Sequence, residues 1–385
     1  MEFAPMRMFI CKVASRCNLD CDYCYVYRHA DQTWRDQPVK MSLETAAQLG
    51  RRIKEHASNH GINAVDVVMH GGEPLLVGVK HLRKICEQIR ENAQPVEVHY
   101  GMQTNGLLLD EEAFAFCLEW NFGVGLSLDG PRQANDLHRF DHSGRSSFNG
   151  VERALQLLSS EQGRSIWSGF LAVIDLRHDP LEVYSYLKSF HPKGIDFLLP
   201  LGNYTCLPPG KNDPLATPYA DWLLSIFNVW YRERPQTIRI RRFRDVIALL
   251  AGISHTTEEW GLHPVDFIVV ETNGEIQAVD TLKTTYPKAN HLGLNIFDNS
   301  FDDLFSAPLI IKRQNGWAGL CQTCQRCELV NICGGGYFPQ RYSHENGFQN
   351  PSIYCADLMK LIREIYTTVS TDLRELRRSP IGVGD

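Results

Sequence analysis

Ala14-Ser15-Arg16-Cys17-Asn18-Leu19-Asp20-Cys21-Asp22-Tyr23-Cys24-Tyr25 is the stretch on which the reading of this chain turns. It follows an apolar run, Met8 to Val13, and spaces its thiols Cys-x3-Cys-x2-Cys. The run reads as a strand, so the three thiols share one tight loop after it. Three thiolates so placed suit three corners of a cubane iron–sulfur cluster and leave the fourth iron open. An open iron can chelate a small molecule and pass it an electron. Zinc is the alternative; it wants a fourth ligand. The loop holds no further Cys or His, although His29 is close.

Outward from this loop, β-rich runs alternate with amphipathic helical stretches up to about residue 200. The strands expected are Phe9–Val13, Ala64–Met69, Val96–Gln103, Gly123–Ser127, Ser168–Ile174 and Ile195–Leu199. A helix begins at Ser42, a good N-cap with Glu44 in its first turn, and others fall near 80–92, 110–120, 147–161 and 180–190. Such alternation predicts an α/β fold, a parallel sheet with helices outside. Six units rather than eight predict a partial (β/α)6 barrel, with chemistry at the C-terminal strand ends, where the cysteine loop falls. Helical patterns at Tyr219–Tyr231 and Asp245–Ala251 follow a Pro, Gly and Asn-rich loop at 200–215. A hairpin is expected over Asp266–Asp280, turning at Asn273-Gly274. The expected division is a barrel at 1–215, a helical bridge at 216–265, a cysteine-rich domain at 266–360, and a closing helix and tail at 361–385.

The chain has 385 residues, 43% of them hydrophobic and 22% charged, which is ordinary for a globular protein. Its formal charge of −6 argues against a general nucleic-acid partner. No stretch is long and apolar enough to span a membrane, and the N-terminus lacks a signal-peptide core, so the expected compartment is the cytoplasm. Disulfides are rare there, and the twelve Cys therefore read as metal ligands first. Cys11, Cys86, Cys117 and Cys206 stand alone and are expected to be buried thiols.

Further motifs follow successive strands. In His70-Gly71-Gly72-Glu73-Pro74 the two glycines permit close backbone approach to a ligand. Glu73 acts there either by its charge or by fixing the loop. Gln103-Thr104-Asn105-Gly106 and Ser127-Leu128-Asp129-Gly130-Pro131 come next, with Arg139 downstream. A Ser hydroxyl at a strand end can bond a ribose, and an Arg can pair with a carboxylate through its fork. Near the C-terminus, Cys321-x2-Cys324-x2-Cys327-x5-Cys333 and then Cys355 are dense enough to indicate a metal, either a zinc knuckle or an iron–sulfur cluster. Arg232, Arg234, Arg239, Arg241, Arg242 and Arg244 form a basic stretch that is either a solvated face or a dock for an acidic leader peptide.

The Cys loop with Tyr23, followed by the Gly-Gly-Glu-Pro segment, resembles the radical S-adenosylmethionine (SAM) superfamily. That resemblance implies a 4Fe-4S cluster on Cys17, Cys21 and Cys24. It implies SAM bound near Tyr23, Gly71, Gly72 and Glu73, its ribose on Ser127 and its carboxylate on Arg139, with Phe197–Leu201 as a wall beside the adenine. The C-terminal cysteines resemble the SPASM domain of radical SAM peptide maturases, whose pattern is Cys-x2-Cys-x5-Cys-x3-Cys and then a distant Cys. Cys324, Cys327, Cys333 and Cys355 match, and Tyr337 stands at the remaining position; the family also carries an earlier Cys five residues after a Gly, and here Gly274 is followed at that place by Val279. The resemblance thus implies one auxiliary 4Fe-4S cluster, with the inner, substrate-proximal one missing and Cys321 outside the pattern. Asp280 falls where related maturases carry a proton acceptor.

Ala30 to Pro38, Asp280-Thr281-Leu282-Lys283, Gly334-Gly335-Gly336-Tyr337 and Asn346-Gly347-Phe348-Gln349-Asn350-Pro351-Ser352 narrow the likeness. Together they resemble the cyclophane-forming radical SAM/SPASM peptide maturases. This implies that a ribosomal precursor peptide is cross-linked from an aromatic ring carbon to the β-carbon of the residue two positions later. An electron donor such as flavodoxin or ferredoxin is implied, with no nucleic-acid or membrane partner. Thioether formation, oxidation of a sulfatase Cys or Ser, and a zinc-stabilised α/β binding module are the alternatives.

Overall fold

The computed structural model describes residues 3–253 and 258–378. Six strands, β1 (Met8–Ala14), β2 (Ala64–Gly71), β3 (Glu97–Thr104), β4 (Gly123–Ser127), β5 (Trp167–Val173) and β6 (Gly194–Leu198), lie side by side in chain order, each parallel to the next. Their alternation explains the layering. Phe9, Cys11 and Val13 of β1 and Val65, Val67 and Met69 of β2 face a buried apolar layer. The helices Leu43–His60 and Val79–Ala93 complete that layer with Leu49, Ile53, Leu82, Ile85 and Ile89. Ser42 caps the first of these, its Oγ accepting the Thr45 N–H at 3.0 Å. The opposite strand faces, with Met8 and Ile10 on β1, line the interior of a partial barrel.

The hairpin forms from β8 (Phe267–Val270) and β9 (Glu275–Gln277), and Gly274 takes the positive φ of +84° that its turn demands. It does not stand apart from the barrel sheet. β8 runs parallel to β1, pairing Met8 with Phe267 and Cys11 with Val270. With β10 (His291–Asn295) outside β9 and the two-residue β7 (Arg239–Ile240) outside β6, the described strands form one ten-stranded sheet. The last helix, Cys355–Arg378, packs on Pro218–Trp230 and Arg241–Leu250. Among the described residues, no helix is long and apolar enough to cross a membrane.

Two expectations change. Cys11, Cys86 and Cys117 are buried, but Cys206 is exposed. It lies in the Pro- and Gly-rich loop after β6, where a turn closed by Asn203 holds the backbone and no apolar layer covers the thiol. The basic stretch is not one face either. Arg242 is buried against Glu259, whereas its neighbour Arg241 stays exposed and pairs with Asp196, because a helix start sends neighbouring side chains in different directions.

Candidate active site

Cys17, Cys21 and Cys24 follow β1 and line a cavity of about 800 Å³ inside the barrel. Burial pushes the Cys17 thiol up to about 12 and the Cys21 thiol up to about 11. A bound metal is what would draw such thiols into thiolate form. Asn105 Nδ2 approaches Cys17 Sγ at 3.7 Å and donates to Asn18 Oδ1 at 2.8 Å, pinning the loop from the end of β3.

The segment after β2 is built for close approach. A Cβ on Gly72 would overlap the Arg16 carbonyl and the Tyr27 hydroxyl, so only glycine lets this segment lie against the cysteine loop. The Gly72 N–H donates to Ala14 O and the Glu73 N–H to Arg16 O, both at 2.9 Å. Glu73 fixes the loop. Its buried carboxylate accepts Leu75 N–H at 3.1 Å, Thr104 Oγ1 at 2.8 Å and Asn105 N–H at 2.8 Å. Burial pushes its pKa up, against the pull of those donors and of Arg139.

Across the cavity, Tyr23 OH donates to Asp129 Oδ2 at 2.6 Å and accepts from Arg139 Nη1 at 3.0 Å. Arg139 is buried, and its Nε has no hydrogen-bond partner. An unsatisfied buried guanidinium donor calls for an anion. Ser127 Oγ accepts from Gln103 Nε2 at 2.7 Å and lines the same cavity. Leu198 to Leu201 form an apolar wall there, whereas Phe197 turns outward against Trp222, ring centroids 5.2 Å apart.

Asp280 stands in the cavity wall beside Val279 and Thr281. It forms a buried ion pair with Lys12 of β1, a residue that motif reading missed. The available signal was a lone lysine inside the apolar run Phe9 to Ala14, since a buried lysine demands a partner. Burial pushes the Asp280 carboxyl up, but Lys12, Lys283 and His70 together hold it below its usual range.

These features agree with three comparisons. The radical SAM superfamily pattern matches residues 11–184. The chain is 28% identical over 365 residues to the cysteine-type anaerobic sulfatase-maturating enzyme of Clostridium perfringens, covering 91% of this chain and 94% of that enzyme. It is 25% identical over 361 residues to the serine-type enzyme of Bacteroides thetaiotaomicron, covering 88% and 84%. The solved structure of native anSMEcpe with bound AdoMet and Cp18Cys peptide superposes with a TM-score of 0.80 at 25% identity, covering 97% of this chain and 100% of that one. This chain is a radical SAM enzyme. It works with SAM and 4Fe-4S clusters.

The radical SAM cavity fits these cofactors on its own geometry. The unpartnered Arg139 Nε suits the SAM carboxylate. The three thiols are not drawn together as a single zinc would hold them. A tetrahedral zinc with Zn–S bonds of about 2.3 Å holds its sulfurs about 3.8 Å apart. Among the described residues, the only His, Cys, Asp or Glu group of three whose ligand atoms all lie within 4.8 Å is His56, His60 and Asp302. That group is a hydrogen-bonded knot. His56 Nε2 accepts the Met6 N–H at 3.0 Å, which leaves Nδ1 to donate to Asp302 Oδ1 at 2.6 Å.

The C-terminal cysteines of this radical SAM enzyme converge as well. Cys333 lies in the field of Cys355 and Cys327, and Cys324 in that of Cys321 and Cys333. Cys321, outside the sequence pattern, therefore sits within the same thiol group. Gly334, Gly335 and Gly336 all take positive φ, between 60° and 80°. Buried Arg341 ties the Gly334 carbonyl at 2.8 Å, clamping the turn that presents Cys333. Tyr337, which stands at a pattern cysteine, donates to or accepts from Thr281 Oγ1 at 2.6 Å in the wall beside Asp280.

Proposed function

We propose that this enzyme closes a three-residue cyclophane in a ribosomally made precursor peptide, joining an aromatic ring carbon to the β-carbon of the residue two positions later. Action on a peptide is supported by the sulfatase-maturating relatives and by the peptide in the anSMEcpe structure. One observation carries the cyclophane reading. Val279 and Tyr337 occupy the positions of the missing inner-cluster ligands, and both line the cavity beside Asp280. Those substitutions count against a sulfatase maturase and put apolar and aromatic surface where a substrate ring would pack.

In this reading Cys17, Cys21 and Cys24 hold the catalytic cluster. Tyr23, Gly71, Gly72, Glu73, Ser127 and Arg139 hold SAM. Cys324, Cys327, Cys333 and Cys355 hold one auxiliary cluster. When bound, these groups supply a 5′-deoxyadenosyl radical that removes a β-hydrogen from the peptide, and an auxiliary electron acceptor. The carbon radical adds to the ring, and Asp280 takes the ring proton as aromaticity returns. A carboxylate held ionised by Lys12 is ready to accept it. The barrel wall keeps water from the radical. Flavodoxin or ferredoxin in the cytoplasm would feed the first cluster.

Incubation with the precursor encoded beside the enzyme, under reducing and SAM-replete conditions, tests this. Loss of two hydrogens confined to one aromatic tripeptide is expected, and an intact precursor sinks the reading. Formylglycine formation on a sulfatase peptide is the second reading, favoured by the relatives that match nearly end to end. Its product carries an aldehyde that a hydrazide probe captures, whereas the cyclophane carries none.

A further inference from the structure

Lys12 is the one charged residue in β1. It shares the cavity-facing side of the strand with Met8 and Ile10, by the two-residue period. Directly after it the β1–β2 register slips. Lys12 pairs with His70, but Ala14 pairs with Gly71, so Val13 is the extra residue of a bulge. Bulges beside active sites re-aim side chains. The Lys12 side chain is only 3% exposed. Its ammonium reaches Asp280 Oδ2 as an ion pair and the Gly71 carbonyl at 3.4 Å. One side chain therefore spans the proton acceptor and the Gly-Gly segment assigned to SAM. The other oxygen, Asp280 Oδ1, is buried without a hydrogen-bond partner.

We propose that Lys12 is a positioning residue: it holds Asp280 by Oδ2, in register with the Gly71 segment, and leaves Oδ1 as the oxygen that receives the substrate proton. The inference rests on the peptide-modifying role given to Asp280 above. The surroundings are consistent with it. Lys283 faces Asp280 from the same turn but is engaged with Glu271 at 3.0 Å. Gly71 N–H donates to His70 Nδ1 at 2.9 Å. Burial and the Lys12 charge keep that imidazole neutral. Tyr25 lies in the field of Asp280 from the cysteine loop. Among these groups Lys12 makes the ion pair to the carboxylate. In the final step the ring C–H bond breaks, its electron pair restores aromaticity, the surplus electron leaves to the auxiliary acceptor, and the proton goes to Oδ1.

The test uses the full chain with reconstituted clusters and the precursor peptide encoded beside it, and reads modified peptide per 5′-deoxyadenosine released. Lys12→Met is expected to lower that ratio by about tenfold or more, the scale of a general-base contribution, with iron content retained. Lys12→Arg is expected to restore much of it. Adding Lys12→Met to Asp280→Asn is expected to change nothing further, because Lys12 acts through Asp280. This pair also removes both buried charges, so it reports even if Lys12→Met alone fails to fold. A Lys12→Met ratio equal to the parent's, or a double variant well below Asp280→Asn, overturns the proposal. Failure of the cyclophane reading shows separately, as a different modification made by the parent enzyme. The ratio of that product to deoxyadenosine then reads Lys12 in the same way.

Discussion

Glu73, on the segment after β2, accepts the backbone N–H of Asn105, at the end of β3, at 2.8 Å. The carboxylate is an acceptor for three donors at once, and an amide cannot replace it. Glu73→Gln turns one N–H toward donors that already point inward. We expect a stability loss of about 1–3 kcal/mol, the cost of leaving a buried donor unsatisfied. Weaker SAM binding with unchanged iron content should accompany it. Denaturant unfolding and SAM titration of the holoenzyme check both.

Gly72→Ala should be worse than its size suggests. The added Cβ meets both the Tyr27 hydroxyl and the Arg16 carbonyl. Trimming the first contact with Tyr27→Phe leaves the second, which is backbone and cannot rotate away. The double variant is therefore expected to recover little SAM binding. Full recovery in a binding assay would show that the close approach to Arg16 is dispensable.

The His70 imidazole, held neutral by burial and by Lys12, has its pKa lowered to about 4. The unfolded chain returns it to about 6.5. Between those values the unfolded state binds more protons, so stability is complete above about pH 6.5 and falls as pH drops toward 4. The slope from this group is at most about 1.4 kcal/mol per pH unit. His70→Gln should flatten it. Urea unfolding of parent and variant at neutral pH and at pH 5 decides the matter.

Iron and sulfide analysis separates the two thiol groups. A parent with about eight iron and a Cys17/Cys21/Cys24→Ala triple variant with about four are expected if each group holds one cubane. Cys321→Ala should leave the parent count unchanged, since four thiolates complete the auxiliary site. A drop of about four iron in that variant would make Cys321 a ligand.

Local physics made much of the barrel legible. The six strands lie within one or two residues of their apolar runs, and the Ser42 cap forms as its sequence implies. Strand periodicity and capping are encoded over a few neighbouring residues, which is why they can be read one segment at a time. The thiol spacings likewise kept each cysteine group on a short stretch of chain. Whether Glu73 acts by its charge or by fixing the loop stayed open in the sequence, because two of its three donors, Thr104 and Asn105, come from the end of the next strand.

By itself, the sequence determined the alternating strands and helices and the grouping of its cysteines into two short stretches. Only the tertiary structure decided that β8 lies parallel on β1 and that Cys206 is exposed. It alone set Lys12 against Asp280, from segments far apart in the chain. The physical reason is one of range. A residue's own neighbours decide which way it faces in a strand or helix, but what it meets there is set by packing between segments far apart in sequence. For a buried charge such as Lys12, that distant partner decides whether burial is tolerated.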